Sequence, residues 1–499
     1  MNLLLERNMI QNELAKLRFR NEAFINGNFC PSSSGQTYIV LNPAHATKLA
    51  DVTACEMDDV NQAVAVARST FESGVWSRML PAERKKILLK FASLVEKHSI
   101  EIALLDALSA GKPIHDCVNI DIPDTVHCLS WHAELIDKHY DLMAPTGISN
   151  PAMIVREPIG VVGIIVPWNF PAQMTAWKIG PALAAGNSIV LKPAKQTPFS
   201  AIRLAELAME AGVPAGVFNV LPGMGNVVGQ AICRHMDIDM VAFTGSTEVG
   251  RELLRYSSES NLKRVILELG GKSPQVVLED APDLDQVAPH CINAAFWNMG
   301  ENCSSGSRLI VHHKLKDALL EKVVALTKEL RIGDPIDPET RIGPMIESSH
   351  GEKVMSYIAS GKKEGAHLVY GGNRIFKETG GFYIEPTIFD NVDNSMKIAR
   401  EEIFGPVLSV ISVSSDEEAV AVANDTNYGL AASLYSRDLA KANRVARELR
   451  DGTVSVNCYS EGDITTPFGG FKSSGFFGRD KSIYAQEQYS ELKTIWIQI

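Results

Sequence analysis

Five short apolar runs decide the fold of this chain: GVVGIIV at 160–166, SIVLK at 188–192, VFNVL at 217–221, MVAF at 240–243 and RVILE at 264–268. Each run has the length of a buried strand, and each ends at a turn rich in Gly, Pro, Ser or Lys. Between them lie stretches with helical periodicity at Gln173–Ala185, Pro198–Ala211 and Val227–His235. Short apolar strands that alternate with helices predict a parallel sheet covered on both faces, with ligands at the carboxyl ends of its strands.

A second alternation of strands and helices follows from Lys272 to about Tyr459. Its predicted strands are Arg308–Val311, Val407–Val413 and Gly452–Asn457, and its predicted helices are Leu315–Leu330, Ser348–Glu364 and Glu417–Asn424. Helical periodicity at 59–72 and 81–105 precedes the first alternation. The chain is therefore predicted to be an α/β protein with two domains that join near Gly270-Gly271.

Composition excludes several classes of protein. The 499 residues are 45% hydrophobic and carry a formal charge of -11, which argues against disorder and against a nucleic-acid or anionic-membrane partner. Runs such as 161–166 are too short to span a bilayer, and residues 1–24 lack the apolar core of a targeting signal. Eight scattered cysteines without a CxxC pair predict reduced thiols, no metal site and a cytoplasmic protein.

A thiol, a carboxylate and an amide each stand where a buried segment meets a turn. Cys303 lies in Gly300-Glu301-Asn302-Cys303-Ser304-Ser305-Gly306, Glu268 ends the run 264–268, and Asn169 follows the run 160–166 in Pro167-Trp168-Asn169-Phe170-Pro171. This combination suits nucleophilic chemistry on a carbonyl. The thiolate attacks, the amide stabilises the oxyanion, and the carboxylate activates a thiol or a water.

These three motifs closely resemble the aldehyde dehydrogenase superfamily over essentially the whole chain. The segments Met153–Pro158, Gly462-Asp463 and Glu491–Trp496 are most similar to gamma-glutamyl-aminobutyraldehyde and aminobutyraldehyde dehydrogenases. The resemblance implies a cofactor-binding domain at 23–139 and 160–269, a catalytic domain at 270–482, and an oligomerisation arm at 140–159 and 483–499. It also implies a homodimer or homotetramer that uses NAD or NADP. It further implies a thioester on Cys303 that is hydrolysed with Glu268 as base. The position of Lys178 matches one linked to proton relay, and a helix-surface lysine is the alternative.

Three strand ends carry loops that suit a dinucleotide: Lys192-Pro193-Ala194-Lys195 after Leu191, the loop that begins at Pro222, and the loop that begins at Thr244. The spacing after Leu221 is GxGxxxG, which alone indicates only a tight turn, and Ser246 opens a helix whose amides suit a phosphate. The resemblance adds the individual cofactor positions: Ile165, Val166, Trp168, Lys192, Lys195, Gly225, Gly229, Phe243, Ser246, Val249, Glu402 and Phe404.

The chain departs from the family pattern at three places. Lys195 replaces the Glu that chelates the ribose hydroxyls in NAD-preferring members, and a lysine there favours a 2′-phosphate, so NADP is an open alternative. The loop 473–480 is one residue longer than usual, which puts the position of Asp480 in doubt. Glu301 stands two residues before Cys303 and would raise the thiol pKa if it pointed inward.

The substrate is predicted to be an aminoaldehyde or gamma-glutamyl-aminobutyraldehyde. Acidic residues that would face an amine are Asp121, Asp124, Glu461 and Asp463, although each alone is also typical of a solvated surface. The aromatic residues Phe170 and Trp177 would serve an aliphatic or aryl aldehyde equally well. A non-catalytic relative that only binds the cofactor, and an enzyme that ends on coenzyme A, are the alternatives of other classes.

Overall fold

The computed structural model describes residues 7–499, so the first residues of the segment 1–24, in which we expect no targeting signal, lie outside the described residues. The five predicted runs form the centre of an eight-stranded sheet, where they are parallel to one another. In spatial order its strands are Asn28–Cys30, Ala23–Ile25, Phe218–Val220, Ser188–Lys192, Val161–Ile165, Met240–Thr244, Arg264–Glu268 and Gly475–Phe476. The three outer strands are antiparallel and were not predicted, because two or three residues carry no periodicity.

Helices cover both faces of this sheet. They are Met57–Ser73, Pro81–Lys97, Ser99–Ala110, Ile122–Leu135, Pro171–Ala185, Phe199–Ala211, Gln230–Arg234 and Thr247–Ser258, with Arg7–Leu14 and Ile114–Asp116 at the side. The helical periodicity at 81–105 is divided between two helices that meet at His98, where φ is -101° and ψ is 20°. The helix predicted at 227–235 is instead a π-helical turn at Gly225–Gly229 that runs into Gln230–Arg234, and a second π-helical turn lies at Cys117–Asp121.

The second alternation forms a seven-stranded sheet. In spatial order its strands are His367–Tyr370, Thr387–Asp390, Val407–Val413, Arg308–His312, Pro274–Val277, Ala431–Tyr435 and Thr453–Val456, and all but the first pair are parallel. Its helices are Leu284–Phe296, His313–Lys328, Ser348–Glu364, Lys397–Arg400, Asp416–Asn424 and Leu439–Glu448. The chain passes from one sheet to the other between Glu268 and Pro274, and the boundary drawn at 269/270 stays a prediction.

The helix Pro171–Ala185 lies in the centre of the first core, and all but its last residue are buried. Pro171 suits the first position of a helix because its missing N–H would have no partner there, and Gly186 ends the helix with φ at 100°. The carboxylate of Asp106 accepts a hydrogen bond from the amide of Ala172 at 3.0 Å and so satisfies the helix N-terminus. A helix enclosed in this way holds its side chains in fixed positions, which matters because it carries Lys178.

The C-terminal strand pairs within its own chain. Ser490–Trp496 is antiparallel to Ala152–Pro158, which pairs in turn with Leu142–Ala144 to complete a three-stranded sheet. The hairpin Thr37–Asn42 with Thr47–Thr53, the pair Arg374–Ile375 with Tyr383–Ile384, the helix Ser482–Gln488 and short 3-10 turns at Trp297–Gly300, Lys377–Thr379 and Lys472–Ser474 complete the fold. Across residues 7–499, no helix combines the length and apolar character needed to cross a membrane.

Candidate active site

The loop that carries Cys303 begins with three consecutive residues in the left-handed region. Asn298, Met299 and Gly300 have φ of 51°, 58° and 68°, and they turn the chain sharply at the end of the helix Leu284–Phe296. Asn is among the residues that adopt this conformation most readily. Gly271 lies directly behind the loop, where any side chain would overlap the carbonyl oxygen of Cys303.

Asn169 is tied to this loop in both directions. Its side-chain amide donates to the carbonyl of Glu301 at 2.9 Å, and its own carbonyl accepts from the side chain of Asn298 at 3.1 Å. Asn298 also donates to the carbonyl of Glu301 at 3.0 Å. An amide NH2 has two hydrogens, so Asn169 keeps one for a developing oxyanion. Sequence reasoning missed Asn298, although a buried asparagine five residues before the thiol was a usable signal.

Cys303 and Asn169 line one cavity of about 240 Å³. The thiol is half-buried, and burial raises its pKa well above the ordinary value. The carboxylates of Glu461, Glu402 and Glu268 raise that pKa further. Glu301 is not one of these groups, because its carboxylate turns away and accepts from the amide of Ile346 at 3.1 Å. The Glu301 carboxylate does not point towards the sulfur, so Glu301 does not raise the pKa of the Cys303 thiol.

Glu268 lies behind this cavity, at the end of its strand. The backbone of Gly469 and Gly478 encloses its carboxylate so closely that a Cβ at either position would come within 2.7 or 2.6 Å of Oε1. Neither oxygen has a hydrogen-bond partner among the described residues. Burial, followed by the charge of Asp480, raises the pKa of Glu268 well above its usual range. A buried carboxyl of this kind is neutral at low pH and becomes a base as the pH rises.

Lys178 is fully buried, so its interpretation as a helix-surface lysine is wrong. Its ammonium donates to both oxygens of Asp480, at 2.8 and 2.7 Å. Asp480 is held in this position by Phe468, because the two residues exchange two backbone hydrogen bonds at 2.7 and 2.6 Å. Within the longer loop, Phe476 pairs with Leu267 at the edge of the first sheet, and the next residue, Phe477, is 79% exposed.

The predicted cofactor residues divide between two places on the same side of the first sheet. Trp168, Ser246, Glu402 and Phe404 line the cavity with Cys303, and the edge of the Trp168 ring system contacts Phe404 with centroids 5.3 Å apart. The carboxylate of Glu402 accepts from the amide of Gly271 at 3.0 Å. Burial raises the pKa of Glu402 to about 7. Ser246 caps the helix Thr247–Ser258, which leaves further helix amides for a phosphate.

The second place lies around the π-helical turn at 225–229. Gly229 packs against the side chains of Ile165 and Lys192, and nothing stands within 4 Å of a side chain placed at Gly225. The ammonium of Lys192 is buried and donates to the carbonyl of Pro193 at 2.6 Å, and burial lowers its pKa to about 8. Of the remaining predicted positions, Val166 and Phe243 are buried and Val249 is exposed.

Lys195 does not line the cavity of Cys303. It stands at a second cavity of about 230 Å³, also lined by Gln196, Met224 and Glu347, and its ammonium is 3.9 Å from the carboxylate of Glu347. The side chain is exposed, so it is free to reach a ligand. Whether Lys195 contacts the adenosine ribose stays a prediction.

Among the predicted substrate residues, Asp124 and Trp177 lie together. The indole N–H of Trp177 donates to Asp124 Oδ2 at 2.7 Å, and the amide of Gln173 donates to the same oxygen at 2.8 Å. Asp124 is partly exposed, and its Oδ1 stays available for another donor. The rings of Trp177 and Phe468 meet edge to face at 5.4 Å, so an acid stands beside an aromatic wall.

Asp121 is not an entrance residue, and its prediction as an amine contact is wrong. Its carboxylate is fully buried and lies 2.6 Å from the ammonium of Lys112, which is buried as well. The same ammonium stands 3.6 Å from the centre of the Phe170 ring. Asp121 is three residues from Asp124, but the π-helical turn at 117–121 and the helix after it direct the two side chains differently.

The two predicted acids of the C-terminal loop, Glu461 and Asp463, lie in different surroundings. Glu461 accepts hydrogen bonds from the hydroxyl of Ser304 and the side chain of Asn302, which flank the nucleophile. Asp463 is exposed and accepts from the amide and the hydroxyl of Thr465, at 2.9 and 2.7 Å, within its own loop. The structure therefore brings Glu461 to Cys303 and leaves Asp463 at the surface.

Comparisons with known proteins agree with this geometry. The family model described as Aldehyde dehydrogenase family matches residues 29–495. Aminoacetaldehyde dehydrogenase of Pseudomonas aeruginosa is 53% identical over 497 residues, which is 100% of this chain and 99% of that protein. The NADP/NAD-dependent aldehyde dehydrogenase PuuC of Escherichia coli is 46% identical over 98% of each chain. The structure of Pseudomonas syringae indole-3-acetaldehyde dehydrogenase AldA with NAD+ and IAA superposes with a TM-score of 0.98 at 50% identity, over 99% of this chain and 100% of that one.

Proposed function

Since the chain belongs to the aldehyde dehydrogenase family, and so oxidises an aldehyde with NAD(P), we propose that its substrate carries a positively charged amine. The observation that carries this proposal is a pair of carboxylates, Glu461 and Asp124, each of which can accept a hydrogen bond from an amine. Glu461 lies against the residues that flank Cys303, and Asp124 lies beside the ring of Trp177 with one oxygen still available. An ammonium group gains charge-assisted hydrogen bonds from either acid, whereas a plain alkyl chain gains none.

In the proposed mechanism, Cys303 attacks the aldehyde carbon as a thiolate. The oxygen becomes an oxyanion, and the side chain of Asn169 stabilises it through the hydrogen that is not bound to Glu301. Asn298 holds Asn169 at the loop and is therefore a positioning residue. The product of this step is a thiohemiacetal on Cys303.

The described residues fit a dinucleotide on the opposite side of the cavity. The amides at the start of the helix Thr247–Ser258 and the open space at Gly225 suit the pyrophosphate, and Glu402 suits ribose hydroxyls. When bound, NAD(P) supplies the acceptor for the hydride. Loss of that hydride converts the thiohemiacetal on Cys303 into a thioester.

Glu268 then takes a proton from the water that hydrolyses the thioester. Because burial raises its pKa, this step is expected to accelerate as the pH rises. The buried pair of Lys178 and Asp480 lies close enough to Glu268 to influence its pKa, with opposite signs. We propose that the carboxylate of Asp480 accepts the proton from Glu268 and passes it on to solvent, after which the ion pair with Lys178 is neutral again.

A panel of aldehydes with one charge-removing variant tests the substrate proposal. Aminoaldehydes should exceed straight-chain aldehydes of equal length in kcat/KM. Asp124→Asn keeps the shape of the side chain and removes its charge, so kcat/KM for an aminoaldehyde should fall about tenfold, since a charged hydrogen bond contributes roughly 1.5–3 kcal/mol. The same variant should leave hexanal unaffected. If straight-chain or arylacetaldehydes exceed the aminoaldehydes, the aromatic wall decides specificity and the amine proposal fails.

The gamma-glutamyl substrate is part of the same proposal, because its chain passes the same acids. It carries a carboxylate of its own, so it should gain less from Asp124 and lose less in Asp124→Asn. The size of the loss in kcat/KM caused by Asp124→Asn therefore distinguishes the gamma-glutamyl substrate from the simple aminoaldehydes.

Two further proposals concern the assembly and its compartment. We propose a homodimer or homotetramer, supported by the exposed apolar side chains on the three-stranded sheet, among them Met143, Leu492 and Trp496. Replacing Leu492 and Trp496 with lysine should lower the mass measured by light scattering. A cytoplasmic location is supported by eight free thiols, which suit a reducing compartment.

A further inference from the structure

Glu461 and Tyr459 hold both neighbours of the nucleophile. The side-chain amide of Asn302 donates to the Tyr459 hydroxyl at 2.9 Å and to the Glu461 carboxylate at 3.3 Å. The hydroxyl of Ser304 donates to the same oxygen of Glu461 and lies 3.1 Å from the Tyr459 hydroxyl. Cys303 therefore stands between two residues that share one carboxylate.

A lysine binds the backbone of the loop that carries Tyr459 and Glu461. The ammonium of Lys481 donates to the carbonyl of Glu461 at 2.7 Å and to that of Gly462 at 3.4 Å, and it lies 5.1 Å from the centre of the Trp177 ring. These contacts involve the backbone and leave the Glu461 carboxylate to two neutral donors, Ser304 and Asn302. A carboxylate held only by neutral donors keeps its negative charge available to a cation.

Three carboxylates from three different elements raise the pKa of the Cys303 thiol. Glu461 comes from the loop after the strand Thr453–Val456, Glu402 from the segment before the strand Val407–Val413, and Glu268 from the end of its own strand. Burial is the largest cause of the raised pKa of the Cys303 thiol. The three carboxylates raise that pKa further, and Glu461 is the strongest of the three. The surroundings of Cys303 therefore hold it in the unreactive protonated form.

We propose that Glu461 couples recognition of the substrate amine to activation of the nucleophile, with the ammonium group binding the carboxylate that lies beside Cys303. This inference rests on the proposed function, because it assigns a place to the amine. Binding of the cation neutralises the nearest negative charge, and the S–H bond then breaks more readily. The proton leaves to solvent, the sulfur keeps the electron pair, and no atom changes its oxidation state.

This coupling predicts a pH dependence of kcat/KM that tighter binding of the amine alone would not produce. An aldehyde that carries an amine promotes ionisation of Cys303 when it binds, whereas a neutral aldehyde leaves the thiol protonated. The advantage of the amine in kcat/KM should therefore be largest below the thiol pKa and should shrink as the pH rises through it. By linkage, the cation also binds the thiolate form more tightly than the thiol.

The test measures alkylation of Cys303 by iodoacetamide, a neutral reagent, across pH 6 to 10. Peptide mass spectrometry separates Cys303 from the other thiols. Ethylammonium chloride serves as the cation, with ethanol and potassium chloride at matched concentration as controls. In the wild-type protein, ethylammonium should accelerate alkylation at pH 7 about tenfold, which corresponds to a fall of one unit in the thiol pKa.

Glu461→Gln removes the charge and keeps the hydrogen-bonding shape. It should react about tenfold faster than wild type at pH 7 without any cation, and ethylammonium should have no further effect. Asp463→Asn is the matched control, because it removes one charge from the exposed part of the same loop. Its alkylation profile and its response to ethylammonium should match wild type.

An alkylation profile of Glu461→Gln that superimposes on wild type overturns the coupling. So does a wild-type protein that ignores ethylammonium, and this measurement needs no folded variant. Both outcomes leave the substrate class intact, since that is decided by the aldehyde panel. Conversely, if neutral aldehydes have the higher kcat/KM in the panel, the proposal of an amine substrate fails even if ethylammonium shifts the thiol pKa.

Discussion

Replacing Lys178 with methionine should destabilise the protein strongly, because it leaves the carboxylate of Asp480 buried and unpaired. The ammonium contacts both oxygens of Asp480 at 2.7 and 2.8 Å, and neither side chain reaches solvent. Breaking a buried pair by removing one partner costs about 3–5 kcal/mol in the free energy of unfolding. For a cooperative unit of 150–250 residues, this lowers the melting temperature by roughly 6–20 °C.

The stability lost in Lys178→Met should also depend on pH, and the pKa of Asp480 gives the direction. Burial raises the pKa of Asp480, while Lys178 lowers it, so loss of the lysine raises that pKa further. A group with a raised folded-state pKa stabilises the fold while it is protonated, and this stability is lost as the pH rises through that pKa. The deficit of Lys178→Met relative to wild type should therefore be larger at pH 8 than at pH 6.

Scanning calorimetry of wild type and variant at both pH values provides the measurement. Lys138→Met is the matched control, because Lys138 pairs with Glu134 and Asp137 at the surface, where solvent screens such pairs. Adding Asp480→Leu to Lys178→Met should restore the melting temperature without restoring activity. If Lys178→Met melts within about 2 °C of the Lys138 variant, the reasoning from buried charge is refuted.

Three further predictions concern the chemistry and the cofactor. Cys303→Ala should abolish aldehyde oxidation and leave NAD(P) binding intact, so turnover by this variant would remove Cys303 from the mechanism. Glu268→Gln should give a rapid burst of NAD(P)H followed by a slow steady state, and it should lose the rise in steady-state rate with pH that the raised pKa of Glu268 predicts; a steady state equal to wild type contradicts its role as base. Lys195→Glu should shift kcat/KM towards NAD and away from NADP, each contact contributing on the order of 1–3 kcal/mol; an unchanged ratio means that Lys195 points to solvent.

The features that sequence reasoning recovered are those encoded by neighbouring residues. The runs that begin at Val161, Ser188 and Arg264 formed central strands because apolar runs of that length bury well on both faces of a sheet. The antiparallel strand at Gly475–Phe476 was not recoverable, because it depends on pairing with the distant strand Arg264–Glu268. Local periodicity carries no information about such contacts.

The candidate site divides in the same way. Sequence by itself determined the family and named Cys303, Glu268 and Asn169, because each stands in a motif where a buried strand or helix meets a glycine- or proline-marked turn. Only the tertiary structure decided which charges act together. Asp121 and Asp124 look equivalent in sequence, yet one is buried against Lys112 and the other stays partly exposed beside Trp177. Lys178 and Glu461 acquire their surroundings from residues 302 and 157 positions away in the chain, Asp480 and Ser304. The effect of a charge depends on its burial and on its partners, and both are fixed only when distant parts of the chain pack together.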